Sequence, residues 1–170
     1  YMVFKEKNDY GNRVNNINSF LGEAKKILHN EGCLVSADIF GFILTNTEDG
    51  GIGQNLETLI ENEKLNKHVF LTGYKTEVSE YYRSFDICVF PSENEPFGLV
   101  GVEAYMNGKP VIAFSDSGGL KEIVEPLEPE NIVEDEKHLA KRLFFYFQNR
   151  NLISNQAEER KNYAKNNLII

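Results

Sequence analysis

Short apolar runs alternate with helix-like segments along this chain of 170 residues. The runs are nearly continuous in apolar residues, as expected for strands that are buried on both faces of a sheet. Between them, apolar residues recur at helical spacing. About six such pairs predict an α/β fold, with a parallel sheet of about six strands and helices on both faces. The predicted strands are residues 1–4, 35–44, 68–74, 86–92, 109–116 and 131–133, and the predicted helices are residues 14–30, 55–65, 77–84, 97–108, 119–125, 134–150 and the polar tail 151–170.

Length and composition favour one compact domain that does not bind nucleic acid. A hydrophobic content of 41% is enough to fill a sizeable core. The formal charge of −8 is a poor match to nucleic acid or to an anionic membrane face, because both require clustered Lys and Arg. The two cysteines, Cys33 and Cys88, form no disulfide framework, which indicates a reducing, intracellular setting. No apolar run approaches the length needed to cross a bilayer.

The loops that follow the strands are the places to search for a site, because ligands of open α/β sheets bind outside the carboxyl ends of the strands. After the first strand come Lys5, Lys7 and Arg13 on a chain that is otherwise acidic. They are either solvated loop charges or a cationic clamp for phosphate. The glycine-rich residues 49–53 follow the second strand, but their spacing differs from the dinucleotide-binding pattern, and a flexible turn is the favoured interpretation.

The loop after the fourth strand carries two acids around a predicted helix start. Pro96 suits the first position of a helix, so the helix is predicted to begin near Pro96 or Phe97. Its free N–H groups form an anion site that Gly98 lets a ligand approach closely. Glu95 stands just ahead of this start. Glu103 lies about two turns into the helix, and its side chain leans back towards the N-terminus, so both carboxylates are predicted to reach one crevice.

Two carboxylates beside a phosphate site need an explanation, since they would repel the phosphate. The residues around Glu103 are apolar, which predicts a largely buried helix and a carboxylate that needs hydrogen bonds. The pair makes sense if both acids accept hydrogen bonds from hydroxyls of a nucleotide-sugar, while N–H groups and basic residues hold the diphosphate. The alternative is that Glu95 and Glu103 are ordinary exposed acids. Gly118 and Gly119 open a further predicted helix towards the same edge.

The stretch "PSENEPFGLVGVEAYMNGKPVIAFSDSGGLKEIV", residues 91–124, closely resembles the donor-binding signature of retaining GT-B glycosyltransferases of group 1. This family includes sucrose synthase and bacterial polysaccharide mannosyl- and glucosyltransferases. Its motif is Glu-x7-Glu, followed by a Gly-Lys-Pro-Val strand and a Gly-Gly-x-x-Glu-Ile-Val helix. The upstream residues 68–92 fit in register. The resemblance implies a single Rossmann-like domain over residues 1–170, equivalent to the C-terminal half of a GT-B fold.

The resemblance also implies roles for individual residues in binding a nucleotide-sugar. Glu95 would contact hydroxyls of the donor sugar, and Glu103 would bind the ribose hydroxyls. The remaining implied donor contacts are the backbone of Phe97, Gly98 and Leu99 at the sugar and phosphates, Tyr74 and Lys75 near the base, and Gly118 and Gly119 at the start of the next helix.

The basic pair that neutralises the diphosphate departs from the family pattern. The family places an Arg and then a Lys after the first strand, whereas the matching positions here are Lys7 and Arg13, with Lys5 as a competing candidate. The family turn Asp-Gly-x-x-Gly is also replaced, by the sequence "EPLEPENIV" at residues 125–133. The resemblance implies no metal and no cofactor beyond the nucleotide-sugar substrate, such as a UDP- or GDP-sugar.

The implied function is the donor half of a hexosyltransferase in surface polysaccharide or glycoconjugate synthesis. The abrupt start on an apolar run at Tyr1 suggests a cut from a longer enzyme, so the acceptor glycan or lipid-linked sugar would bind a missing N-terminal domain, and this chain alone would be inactive. A bacterial, cytoplasmic location is expected, at the inner face of the membrane if the missing part attaches there. Two alternatives stay open: a non-catalytic nucleotide-sugar-binding module, which the exchanged basic residues admit, and a sugar-nucleotide epimerase of GT-B architecture.

Overall fold

The computed structural model describes the strands and most of the C-terminal half of the chain. The described residues are 2–5, 42–45, 57, 58, 60–62, 64, 66, 69–73, 78–91 and 94–168. Residues 57, 58 and 60–62 are helical, in agreement with the helix predicted over 55–65. The predictions that lie outside the described residues are the helix 14–30, the glycine-rich loop 49–53, and the roles of Lys7, Arg13, Tyr74 and Lys75.

Six parallel strands form one sheet, in the order β3-β2-β1-β4-β5-β6. The predicted α/β class is confirmed, and each of the six predicted strands overlaps one observed strand, with β1 and β2 each ending one residue later than predicted. The strands are β1 Met2–Lys5, β2 Phe42–Thr45, β3 Val69–Gly73, β4 Ile87–Phe90, β5 Val111–Phe114 and β6 Ile132–Val133.

The strand order reverses direction between β1 and β4, which pair in parallel with Met2 opposite Ile87. This order is that of a doubly wound dinucleotide-binding sheet, and ligands of such sheets bind in the crevice at the reversal. All four residues of β4 are buried, as are all four of β5. Burial on both faces explains why these strands are continuous apolar runs in the sequence.

The described helices lie between and after the strands, at positions close to those predicted. They are α1 Val78–Ser84, α2 Leu99–Met106, α3 Gly119–Val124, α4 Glu136–Gln148, α5 Asn151–Asn155 and α6 Ala157–Tyr163, with a 3-10 helix at Pro129–Asn131 and a π-helix at Ala164–Leu168. Asp135 caps α4 by accepting a hydrogen bond from the His138 backbone N–H at 2.7 Å.

The core joins β4 and β5 to α2, α3 and the C-terminal segment. Ala104 and Tyr105 of α2, Leu120 of α3 and Ala164 are each 0% exposed. The ring of Tyr105 meets that of Tyr163 edge to face at 6.0 Å. The C-terminal helices therefore pack onto α2, and the same helix carries the acid Glu103.

A buried polar cluster lies beneath the C-terminal helices. Glu128 and Arg160 are 6% and 1% exposed. The Tyr105 hydroxyl donates to Glu128 Oε2 at 3.0 Å, and the Tyr146 hydroxyl lies 3.4 Å from Glu128 Oε1. Burial, with the negative charge of Glu128 as a second cause, raises the pKa of Tyr105 and of Tyr146. Both tyrosines therefore remain neutral donors at ordinary pH.

Candidate functional site

The helix α2 begins at a glycine in the left-handed conformation. Gly98 has φ 59° and ψ 25° and is the N-cap, and its carbonyl oxygen accepts from the Gly101 N–H at 2.8 Å. The helix begins at Leu99, later than the predicted start near Pro96 or Phe97, because the backbone at Gly98 is not helical. The first N–H groups of α2 have no acceptor within the helix, as at any helix N-terminus.

Close packing against α3 is a second reason for glycine at this position. A Cβ atom on Gly98 would lie 2.8 Å from Leu120 Cα and 2.9 Å from Leu120 N. Both of these are backbone atoms that cannot swing aside. The starts of α2 and α3 are therefore in direct backbone contact.

The loops after β4 and β5 are held together by backbone hydrogen bonds. The Asn94 N–H donates to Asp116 O at 3.0 Å, and the Glu95 N–H donates to Ser117 O at 3.1 Å. In return the Gly119 N–H donates to Glu95 O at 2.8 Å. These bonds fix the backbone of Glu95 at the carboxyl end of the sheet, so the position of its half-buried side chain is set by two loops together.

The glycine pair 118–119 serves this contact between loops. Gly118 has φ 63°, and a Cβ atom there would lie 3.0 Å from Glu95 O. A Cβ atom on Gly119 would lie 2.7 Å from Pro96 O. The structure thus gives both glycines a packing role, and their predicted contact with a donor stays a prediction.

Glu103 is exposed, and its side chain contacts one buried tyrosine. The Tyr82 hydroxyl lies 3.0 Å from Glu103 Oε2 and 3.4 Å from Val100 O. Tyr82 is 6% exposed, and burial, followed by the charge of Glu103, raises its pKa. The tyrosine therefore keeps its proton and donates a hydrogen bond to the carboxylate.

Glu103 lines a groove of about 290 Å³ between α1 and α2. Its walls are mostly apolar, with Glu103 and a few other polar groups among them, which is the usual make-up of a small-molecule site. The lining residues are Val78, Ser79, Tyr82, Leu99, Val102, Glu103, Met106 and Asn107.

Glu103 and Leu99 line the groove. Glu95 stands where the loops after β4 and β5 meet, and its convergence with Glu103 on one crevice stays a prediction. The prediction of a largely buried α2 is wrong for its outer face: Leu99 is 64% exposed, and Glu103 is exposed. Phe97, just ahead of the helix, is 77% exposed. The predicted residues Glu95, Phe97, Gly98, Leu99, Glu103, Gly118 and Gly119 nevertheless all lie at the starts of α2 and α3 or in the groove beside them.

Tyr82 is a site residue that the sequence analysis missed. The sequence "EVSEYYRS" predicts the helix but not which of its tyrosines faces Glu103, because the two residues are 21 positions apart. The helical spacing of Val78 and Tyr82 was the one available signal, since it places both on one face of α1.

Two kinds of feature are missing from the described residues. No group of three or more His, Cys, Asp or Glu side chains is arranged there to hold a metal ion. None of the described helices is long and apolar enough to span a bilayer.

Comparison with known proteins places this arrangement in a family. Residues 12–167 match the sequence profile described as glycosyl transferases group 1. The chain belongs to this family. It is 29% identical over 87 residues to the poly(ribitol-phosphate) alpha-N-acetylglucosaminyltransferase of Staphylococcus aureus, a match that covers 51% of this chain and 18% of that protein.

Two solved structures share the fold. The C-terminal domain of a group 1 glycosyltransferase, LpcC from Francisella tularensis, superposes with a TM-score of 0.72 at 21% identity, covering 100% of this chain and 87% of that one. HepE from Anabaena, solved with UDP and glucose, gives a TM-score of 0.73 at 21% identity, covering 96% of this chain and 43% of HepE. The match covers 43% of HepE, and the matched segment covers 18% of the Staphylococcus enzyme, so the chain spans less than two thirds of either protein.

Proposed function

We propose that this chain is the donor-binding domain of a retaining, metal-independent glycosyltransferase. The enzyme moves a hexose from a nucleotide-sugar to an acceptor in surface polysaccharide or glycoconjugate synthesis. Membership of the group 1 family supports transfer of a sugar. The relatives support the substrate class, since HepE was solved with UDP and glucose and the Staphylococcus enzyme is named for a polymeric acceptor.

One observation carries the proposal: the Glu103 carboxylate lines a groove that adjoins the start of α2. This start follows β4, the strand next to the reversal of the sheet order. An exposed carboxylate beside apolar walls is suited to accept hydrogen bonds from the two ribose hydroxyls while the base lies against the walls. The diphosphate then extends towards the first N–H groups of α2.

The loop Glu95–Leu99 is proposed to hold the sugar end of the donor. The Glu95 carboxylate accepts hydrogen bonds from the sugar hydroxyls and orients the ring for reaction. Its backbone bonds to the β5 loop make this position rigid. The backbone of Phe97, Gly98 and Leu99 contacts the sugar and phosphates at the N-terminus of α2.

Three further groups complete the proposed mechanism. Arg13 and Lys7, or Lys5 in place of Lys7, stabilise the negative charge that develops on the leaving diphosphate as the bond from sugar to phosphate breaks. Tyr74 and Lys75 lie near the base. The acceptor glycan or lipid-linked sugar binds an N-terminal domain of the whole enzyme, so this chain binds the donor but transfers nothing by itself. The proposed location is the bacterial cytoplasm, at the inner face of the membrane if the rest of the enzyme attaches there.

Isothermal titration calorimetry with UDP, GDP and their sugars tests the proposal. We expect one nucleotide series to bind with a dissociation constant of about 1 µM to 1 mM. Glu103→Ala should weaken that binding roughly tenfold to a hundredfold, because it removes hydrogen bonds to a charged acceptor. Glu159→Ala, at an exposed acid on α6, is the matched control and should leave binding unchanged. Absence of binding by every nucleotide, or equal binding by wild type and Glu103→Ala, would count against the proposal.

A further inference from the structure

The contact between Tyr82 and Glu103 joins a buried helix face to an exposed acid. Tyr82 lies on α1 and Glu103 on α2, and both line the groove. The tyrosine ring is fixed by core packing, since it meets Phe85 edge to face at 6.3 Å and is 6% exposed. Its hydroxyl is therefore a donor held in one place, whereas a glutamate on a helix surface ordinarily samples several rotamers.

The hydroxyl has one proton and two acceptors within reach. Glu103 Oε2 at 3.0 Å is closer than Val100 O at 3.4 Å, and it carries negative charge. Charged acceptors form the stronger hydrogen bonds, so the proton points to Glu103. Among the described residues, none donates to Glu103 Oε1. Tyr82 thus holds one carboxylate oxygen, and no described residue occupies the other.

We propose that Tyr82 is a positioning residue, whose hydroxyl holds Glu103 Oε2 so that Oε1 meets the ribose hydroxyls of the bound nucleotide. This inference rests on the proposed function, because the ribose contact of Glu103 belongs to that proposal. Tyr82 does not have to touch the nucleotide to act in this way. Tyr82 fixes the rotamer of Glu103 before the nucleotide binds. Without this contact the Glu103 side chain would have to be ordered on binding, which lowers the affinity.

The test compares UDP with 2′,3′-dideoxy-UDP, which lacks both hydroxyls that Glu103 would bind. If the wild-type protein prefers GDP, the comparison uses GDP and 2′,3′-dideoxy-GDP instead. Tyr82→Phe keeps the ring and removes only the hydroxyl. We expect this variant to weaken UDP binding roughly threefold to tenfold, as loss of one hydrogen bond implies. Its dissociation constant for the dideoxy compound should stay within about twofold of the wild-type value, because that compound has no ribose hydroxyls to contact Glu103.

Tyr81→Phe is the matched control, since it removes a hydroxyl from the next residue of the same helix. It should leave both dissociation constants within about twofold of wild type. Thermal unfolding of Tyr82→Phe establishes that the variant is folded at the temperature of the titration.

The possible failures are distinguishable. If wild type binds neither nucleotide, the proposed function and this inference both fall. If wild type binds UDP and the dideoxy compound equally well, nucleotide binding stands but the ribose contact and this inference fall. If Tyr82→Phe weakens both ligands equally, or weakens neither, Tyr82 has no positioning role.

A double-mutant cycle gives an independent readout. In the Glu103→Ala background, Tyr82→Phe should change the UDP dissociation constant by less than about twofold, because the carboxylate it positions is gone. A full threefold or larger loss in that background would show that Tyr82 acts by another route and would overturn the inference.

Discussion

Arg160 and Glu128 form an ion pair inside the protein, with 2.8 Å between Arg160 Nη2 and Glu128 Oε1. Their side chains are 1% and 8% exposed, although the two residues are 32 positions apart. Arg160 also donates to Ile153 O at 2.9 Å, and Glu128 accepts from Tyr105 at 3.0 Å. The pair fixes α6 to the connection between α3 and β6, and removal of either member leaves the other charge buried.

The first prediction concerns the charge that is left buried and unpaired when Arg160 is replaced. Arg160→Met should lower the free energy of unfolding by about 3–5 kcal/mol, the usual effect of breaking a buried ion pair from one side. Urea denaturation followed by circular dichroism measures it. Lys161→Ala breaks the neighbouring Lys161–Glu158 pair, whose side chains are 33% and 76% exposed, and should leave the urea midpoint almost unchanged. Similar midpoints for the two variants would contradict this prediction.

The second prediction compares two glycines at the start of α2. Gly98→Ala forces φ 59° on alanine and places its Cβ 2.8 Å from Leu120 Cα. Gly101→Ala keeps a helical backbone, and its Cβ meets the end of the flexible Leu120 side chain at 2.6 Å. We expect Gly98→Ala to be less stable than Gly101→Ala by about 2 kcal/mol or more, since left-handed strain and a backbone clash add to each other. Differential scanning calorimetry of both variants gives the order, and the reverse order would refute the argument.

The sheet was predictable from the sequence because burial on both faces leaves a continuous apolar run. The runs around β4 and β5 show this most clearly, since all eight strand residues are buried. The start of α2 was not predictable from propensity. Pro96 favours a helix start, but the contact of Gly98 with Leu120 delays the first helical residue to Leu99. That contact joins two segments that are distant in sequence, so no local pattern reports it.

Only part of the candidate site was predictable, again because some of its contacts join residues that are distant in sequence. The motif identified Glu103 and Gly98, both of which the structure places at the start of α2 or in the adjoining groove. Tyr82 and the Arg160–Glu128 pair were missed because each depends on a partner more than 20 positions away. Glu128 belongs to residues 125–133, the segment that replaces the family turn Asp-Gly-x-x-Gly. Through Glu128 this segment binds Tyr105 and Arg160 inside the protein.

The third prediction concerns stability in alkali. Burial raises the pKa of Tyr82, Tyr105 and Tyr146, whereas an unfolded tyrosine ionises near pH 10. Above about pH 10 the unfolded chain releases protons that the folded chain keeps, so the contribution of each tyrosine to stability is complete below that pH and falls by about 1.4 kcal/mol per pH unit above it. Urea unfolding at several pH values between 9 and 11 measures the slope.

Tyr105→Phe isolates one of the three contributions. The variant removes a titrating group from both states, so its stability should fall less steeply with pH than that of wild type, by about 1.4 kcal/mol per unit above pH 10. The variant is also expected to be less stable at every pH, because Glu128 loses a donor, and only the slope is diagnostic. Parallel curves for wild type and variant would mean that Tyr105 ionises freely in the folded protein.

The fourth prediction separates stability from binding at the groove. Leu99 is 64% exposed and forms part of the groove wall, so Leu99→Ala should change the free energy of unfolding by no more than about 0.5 kcal/mol. Nucleotide affinity should fall roughly fourfold to fifteenfold, which corresponds to the loss of one or two buried methyl groups from the complex.

Leu139→Ala is the opposite control, because Leu139 is 1% exposed in α4 and its truncation should cost about 2–5 kcal/mol of stability. At a temperature where both variants are folded, Leu139→Ala should bind nucleotide as wild type does. A Leu99→Ala variant that loses stability but keeps its affinity would show that Leu99 packs the fold and does not line a binding site.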